Sequence, residues 1–386
     1  MARMMIKEPD FTFGIEEEYL LVDPKSRDLV TEAPPAFFEE CAAKLGGQVS
    51  AEFIRSQIEI GTAVCSTPAQ ALAELTRLRA AIVEVAARHG LAPMAASTHP
   101  FADWNRQKIT DKARYSAIAH DLQITGRRLV ISGMHVHVAL GDDDLRIDVM
   151  NQVRYFLPHL LALSSSSPFW QGADTGLKSY RLAIYDESPR SGLPGVFGSW
   201  HEYQSTIDVL VQADVIQDAS KIWWDIRPCA KYPTLEMRMT DVCTRIEDAV
   251  CIAQLYRCLC RMLYRLRQGN QRWRTYPLFL LKENRWRAQR YGVGGTLFDF
   301  GKGALVPYAQ LLDEIIEHIG EDIRHFRCEA EVAHARTIVS GGTSADRQLG
   351  CADAARKQGA SEPEAMRAVV DMLLAETAGR GAELGR

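Results

Sequence analysis

Three consecutive glutamates inside an otherwise apolar run, Gly14-Ile15-Glu16-Glu17-Glu18-Tyr19-Leu20-Leu21-Val22, constrain this chain more than any other feature. The segment from Phe11 to Val22 reads as a strand, closed by a turn at Asp23-Pro24. Side chains alternate along a strand, so Glu16 and Glu18 leave one face and Glu17 the other. Two carboxylates side by side repel, and burying them is costly unless a cation neutralises them. Hard oxygen donors of this kind suit Mg²⁺ or Mn²⁺, above all where nucleotide phosphates share the coordination. A solvated acidic strand face would show the same spacing.

Three further stretches repeat the pattern. Gln57-Ile58-Glu59 sets a carboxylate in an apolar strand, His135-Val136-His137 sets two imidazoles on one strand face, and Glu236-Met237-Arg238 pairs a carboxylate with a guanidinium, Asp241 following. Each alone is weak, since a lone strand histidine is more often a satisfied core group than a ligand. The two histidines would also suit Zn²⁺, as in a metal-dependent hydrolase. Taken together, four strands with same-face polar groups predict a sheet whose concave face is an active site. Arginine forks suited to phosphate or carboxylate are supplied by Arg227, Arg238 and Arg181, whereas Arg285 and Arg290 read as structural ion pairs. Gly172–Ser179 lacks the spacing of a phosphate loop, and Gly292-Val293-Gly294-Gly295 is no dinucleotide fingerprint. A bound nucleotide would therefore rely on metals and arginines.

Strand signals recur at 49–64, 91–97, 129–140, 223–227 and 234–240, and helical spacing at 69–89, 145–163, 205–217 and 246–266. Ser361 and Glu364 form a capping box for a last helix ending near Thr377. These elements do not alternate as clean βαβ units, so the expected class is α+β with an antiparallel sheet. No repeat or linker divides the 386 residues, which are read as one catalytic unit, mainly helical from about residue 300. The Ser-, Gly- and Pro-rich stretch 164–199 is long for a compact protein and is a candidate lid. A net charge of −4 disfavours non-specific nucleic-acid binding, and charges interrupt the longest apolar stretches, so no membrane span is expected. Nine cysteines without a CxxC pair favour a reducing cytoplasm over a disulfide scaffold, and Cys251 and Cys258 read as core.

The motifs GIEEEYLLVD, SQIEIGTAVC, STHPF, GMHVHV, SSSSPFWQGADTG, WWDIRP, TLEMRMTD and NRWRAQRYG, in this order, resemble the glutamate–cysteine ligase type 2 family. The resemblance runs from Phe13 to about Gly292 and implies carboxylate–amine ligases with a glutamine-synthetase-like fold, a curved antiparallel sheet with helices packed on its outer face. It further implies ATP and Mg²⁺ (or Mn²⁺) as cofactors. Glu16, Glu18, Glu59, His135 and Glu236 resemble the metal ligands, and Arg238 resembles the arginine on the transferred phosphate. His137 falls near the metals without an assigned task, and Glu17 receives none. A small carboxylate such as L-glutamate and an amine such as L-cysteine are the implied partners; a homo-oligomer is left open.

Carboxylates acylate poorly because the leaving group would be oxide. Transfer of the γ-phosphoryl group makes an acyl phosphate that an amine can attack, so catalysis reduces to positioning and charge neutralisation, with Glu236 and Arg238 as the central pair. Two rival readings remain at this point: a hydrolase centred on the histidine pair, and a nucleotide-binding relative without turnover.

Overall fold

The computed structural model describes residues 7–379. Its main sheet is built from β1 (Phe13–Val22), β2 (Val49–Ala51), β3 (Gln57–Gly61), β4 (Ala92–Met94), β5 (Met134–Ala139), β6 (Ile226–Pro228) and β7 (Thr234–Met237). The strands run in the order β6-β7-β5-β1-β3-β2, with β4 paired to the far end of β1, and every pairing is antiparallel. The sheet is open, with β6 and β2 at its edges.

One face of the sheet is dry. Phe13, Ile15, Tyr19, Val136, Val138, Leu235 and Met237 are buried there, under the helices Pro68–Arg88 and Ile246–Gln268. The first of these helices is opened by a capping box, in which Thr67 accepts from the Gln70 amide and Gln70 reaches back. The second is buried along most of its length, Cys251 and Cys258 included. The helices beyond residue 300 fold back onto this layer: Glu329–Gly341 packs on Ile246–Gln268, and Glu362–Thr377 packs on β4. Among the described residues no helix is long and apolar enough to cross a membrane.

Local departures from the sequence reading have physical causes. The 49–64 stretch splits into β2 and β3, because residues 52–56 leave the ladder. Strand β5 starts only at Met134, since Ile124–Arg127 is helical and the Gly133 amide bonds the Glu18 carboxylate at 2.7 Å. The helical stretch expected at 145–163 is two helices, Asp143–Val153 and Leu157–Ser164, and Pro158 sits in the first turn of the second, where its missing N–H is not needed. The helix expected from Ser205 begins at Trp200, where Ser199 caps the Glu202 amide, so His201 is helical. The candidate lid is fastened over its first half. Asp241 accepts from the Ser166 amide at 2.9 Å, the Ser167 hydroxyl at 2.7 Å and the Ser179 hydroxyl at 2.9 Å, and all four residues are fully buried.

Glu17, fully buried on the helical face of β1, is matched there by Arg79, whose Nε and Nη2 donate to it at 2.9 and 2.6 Å. The Tyr19 hydroxyl donates to the same carboxylate. The remaining Arg79 donors reach the Thr244 and Cys243 carbonyls at 2.6 and 2.7 Å, so one guanidinium ties β1 to the chain entering the central helix. Removing one partner of a buried, fully bonded pair strands the other charge and costs about 3–5 kcal/mol. Arg79→Met is expected to lower the unfolding free energy by that amount in urea denaturation. A loss below about 1 kcal/mol would contradict the bracing role.

Candidate active site

The other face of the sheet carries the polar side chains, and the strand register sets them in a row. Glu18 on β1 lies opposite Glu59 on β3, and Glu16 lies opposite His135 on β5. His137 lies opposite Glu236 on β7, which in turn lies opposite Arg227 on β6. All of these, with Arg181 and Arg238, line one cavity of about 930 Å³. A separation of 179 residues between Glu59 and Arg238 in sequence is thus closed by three strand pairings.

Two groups of ligand atoms stand out, each confined within 4.8 Å. One is Glu18, Glu52 and Glu59; the other is Glu16, His135 and Glu236. In the first, burial and then the Glu52 charge push Glu18 up to about 7, with Arg181, the Gly133 amide and Arg238 pulling the other way. Burial, then Glu52, Glu16 and Glu18, hold Glu59 well above the carboxylate range. Three oxygen donors that repel one another in this manner fit a hard divalent cation. In the second group burial would raise Glu16, but the adjacent His135 and His137 imidazoles hold it far below its ordinary value. The His135 Nδ1 lies 3.2 Å from Glu16, and its Nε2 lies 3.8 Å from Glu18. Burial and then the Arg238 charge depress His135 to about 4, which leaves it neutral and able to ligate.

The arginines divide into two kinds. Arg227 grips Glu236 with Nε and Nη2 at 2.9 and 3.2 Å, and its Nη1 donates to the Ser220 and Ile222 carbonyls at 3.1 and 2.6 Å. Its donors are committed to the protein. Arg238 also donates to Glu236, and the two guanidiniums outweigh burial to keep that carboxyl ionised. The Nε atoms of Arg238 and Arg181, however, are buried without a hydrogen-bond partner. Arg181 reaches its place across Gly133: a Cβ on that residue would lie 2.3 Å from its Nη2. Its amide is held by Ser167 at 3.1 Å, so the Asp241–serine anchor fixes Arg181 from behind. The other two arginines lie away from the row. Arg285 is paired to Asp225 and Asp186, with bonds of 2.8 and 2.5 Å, and Arg290 donates to the Gly176 carbonyl.

Sequence reasoning missed Glu52, Cys229 and Tyr185. Glu52 sits where the ladder is broken, outside any alternation, and so carries no periodic signal. Cys229 was legible, since it lies two residues beyond Arg227 and continues its face of the strand. Tyr185 lines the cavity from the short helix Arg181–Tyr185, one turn after Arg181.

The sequence matches the model of the family described as glutamate-cysteine ligase family 2 over residues 12–371. A protein of Rhodospirillum rubrum, provisionally named glutamate–cysteine ligase 2, is 56% identical over 98% of this chain and 99% of its own. One from Jannaschia sp., named likewise, is 54% identical over 94% of this chain and 96% of its own. Among solved structures, glutamate–cysteine ligase of Francisella tularensis in complex with AMP superposes with a TM-score of 0.65 at 14% identity, covering 98% of this chain and 94% of that one. A bifunctional glutathione synthetase of Pasteurella multocida gives 0.68 at 16% identity over 96% of this chain, which spans only 53% of that protein. At those identities the two structures speak for the fold.

The carboxylate trio generates an expectation for cation binding. A cation that binds Glu18, Glu52 and Glu59 must displace the protons that burial and mutual repulsion retain on Glu18 and Glu59. Mn²⁺ affinity is therefore expected to rise with pH between 6 and 8, by up to about tenfold per unit for each proton displaced. Calorimetry in buffers of different ionisation heat should register proton release. Affinity that is flat across this range, without released protons, would contradict the assignment.

Proposed function

The chain belongs to the glutamate–cysteine ligase family 2, a family of ATP-dependent carboxylate–amine ligases, and from that premise we propose how its own residues make the amide bond. The products are ADP and orthophosphate, through an acyl phosphate. The observation that carries this reading is the row Glu59–Glu18–Glu16–His135–His137–Glu236 on one sheet face, flanked by buried guanidinium donors without partners.

Glu18, Glu52 and Glu59 would hold one divalent cation, Mg²⁺ or Mn²⁺, and Glu16, His135 and Glu236 a second. Such cations, when bound, neutralise phosphate oxygens and draw negative charge toward the terminal phosphates of ATP. Arg238 would offer its free Nε–H to the γ-phosphoryl oxygens, and Arg181 would supply a second buried N–H. Arg227 acts through Glu236, fixing the orientation of that carboxylate; in this reading it positions a ligand and does not touch the nucleotide. The carboxylate oxygen attacks the γ-phosphorus and the β–γ bridging bond breaks to release ADP. The amine then attacks the acyl carbon, and orthophosphate leaves with the oxygen it received. The names of the relatives suggest L-glutamate as the carboxylate and L-cysteine as the amine.

No glycine-rich loop is available to expose an α-phosphate, and this separates the acyl phosphate from an acyl adenylate. With an ¹⁸O-labelled carboxylate substrate, one labelled oxygen is expected in the released orthophosphate. Label recovered in AMP would overturn the mechanism.

Two substitutions test the residues. Glu236→Gln is expected to abolish most turnover in protein that remains folded, and, because a neutral amide leaves the Arg227 and Arg238 charges uncompensated, to lower the melting temperature as well. Turnover close to the parent's at saturating Mg²⁺ would count against the role. Arg238→Lys keeps the charge without the planar fork. Its kcat is expected to fall at least about tenfold, or about 1.4 kcal/mol of transition-state stabilisation; an unchanged kcat would remove Arg238 from the transferred phosphate.

A further inference from the structure

His137 belongs to the polar row, yet the ligase reading gives it no task. Its Nδ1 is 3.0 Å from the Thr234 hydroxyl, a contact that fixes the ring. Its Nε2 is buried without a hydrogen-bond partner and lies 3.5 Å from Glu16. Cys229, in the turn joining β6 to β7, reaches the same place from the cavity wall. One ligand atom each from His137, Cys229 and Glu236 falls within 4.8 Å of the others.

We propose that His137, Cys229 and Glu236 form a zinc site at the edge of the cavity, distinct in donor chemistry from the two cation positions beside it. Sulfur, imidazole nitrogen and carboxylate oxygen together form a donor set for a borderline-soft ion; Mg²⁺ and Mn²⁺ prefer oxygen throughout. The contact from Thr234 orients the imidazole from behind, as outer partners of ligating histidines do. The Glu236 oxygens accept three N–H bonds, one fewer than the roughly four lone-pair directions a carboxylate offers. Three protein ligands leave a fourth position open to water in the cavity. Zinc–ligand bonds of about 2.0–2.3 Å place tetrahedral ligands about 3.5 Å apart, so binding draws the Cys229 turn toward the sheet. The thiol proton leaves to solvent as the zinc–sulfur bond forms.

Glu236 is common to this site and to the Glu16–His135–Glu236 group. Zinc at Cys229 therefore competes with the cation held there, and the ion acts as an inhibitor of the ligase. This second half rests on the ligase reading, whereas zinc binding itself does not.

Cobalt(II) is the probe that separates the two, because a thiolate ligand gives it a near-ultraviolet charge-transfer band. In excess Mg²⁺ the whole protein is expected to develop that band with one equivalent of Co²⁺, and Zn²⁺ to abolish it. Cys229→Ser should lose the band. Cys351→Ser, which alters the other cysteine that is not fully buried, should keep it. A parent protein without the band, or a band surviving Cys229→Ser, would overturn the site. A second measurement needs no variant: Zn²⁺ is expected to slow iodoacetamide alkylation of Cys229, read by peptide mass spectrometry, and an unchanged rate would also overturn it. ADP release inhibited by Zn²⁺ in the parent and insensitive in Cys229→Ser supports the inhibitory half. Equal inhibition of both refutes that half, and absence of ADP release without zinc refutes the ligase reading while leaving the cobalt band untouched.

Discussion

The structure depends on how a strand separates three adjacent negative charges. The pleat of β1 sends Glu17 into the helical layer and Glu16 and Glu18 into the cavity, and each face supplies a different answer to the cost of a buried carboxylate. On the dry face the answer is permanent: Arg79 and Tyr19 bond Glu17, and Arg79 spends its other donors on carbonyls ahead of the central helix. On the wet face the answer is left incomplete. Glu18 and Glu59 are pushed upward because burial and neighbouring carboxylates outweigh the nearby cationic side chains. A sheet face assembled in this way is poised to take cations from solution, and the bracing behind it keeps the donors from relaxing away from one another.

The same division appears among the arginines. Every nitrogen of Arg227 and Arg285 donates to a protein acceptor, and both hold other groups in place. Arg181 and Arg238 keep buried donors in reserve. What holds Arg181 there is remote from it in sequence: the absent Cβ of Gly133 and the Asp241 anchor on Ser167. The segment 164–185 thereby becomes a wall of the site, and the long irregular stretch is explained by packing over its first half.

Much of this was legible because a strand writes its two faces with period two. Glu16 and Glu18, His135 and His137, and Glu236 and Arg238 each announce a shared face within three residues, and antiparallel pairing then stacks those faces. The readings failed where the backbone leaves that period. Glu52 lies in the break between β2 and β3, and the strand expected at 129–140 begins at Met134 only because Gly133 is diverted to Glu18. Asp241 was noted as an acid following Arg238, but its serine partners lie more than sixty residues earlier, beyond any local pattern. The order of motifs carried the family resemblance, and the match over residues 12–371 bears it out.

The central claim is that this face of the sheet holds divalent cations between named carboxylates and imidazoles. Anomalous scattering from Mn²⁺ in crystals grown with a non-hydrolysable ATP analogue tests it most directly. The account predicts one peak among Glu18, Glu52 and Glu59 and a second among Glu16, His135 and Glu236, with Arg238 against the terminal phosphate. Manganese found only outside the cavity, with these side chains unmoved and the analogue elsewhere, would contradict it.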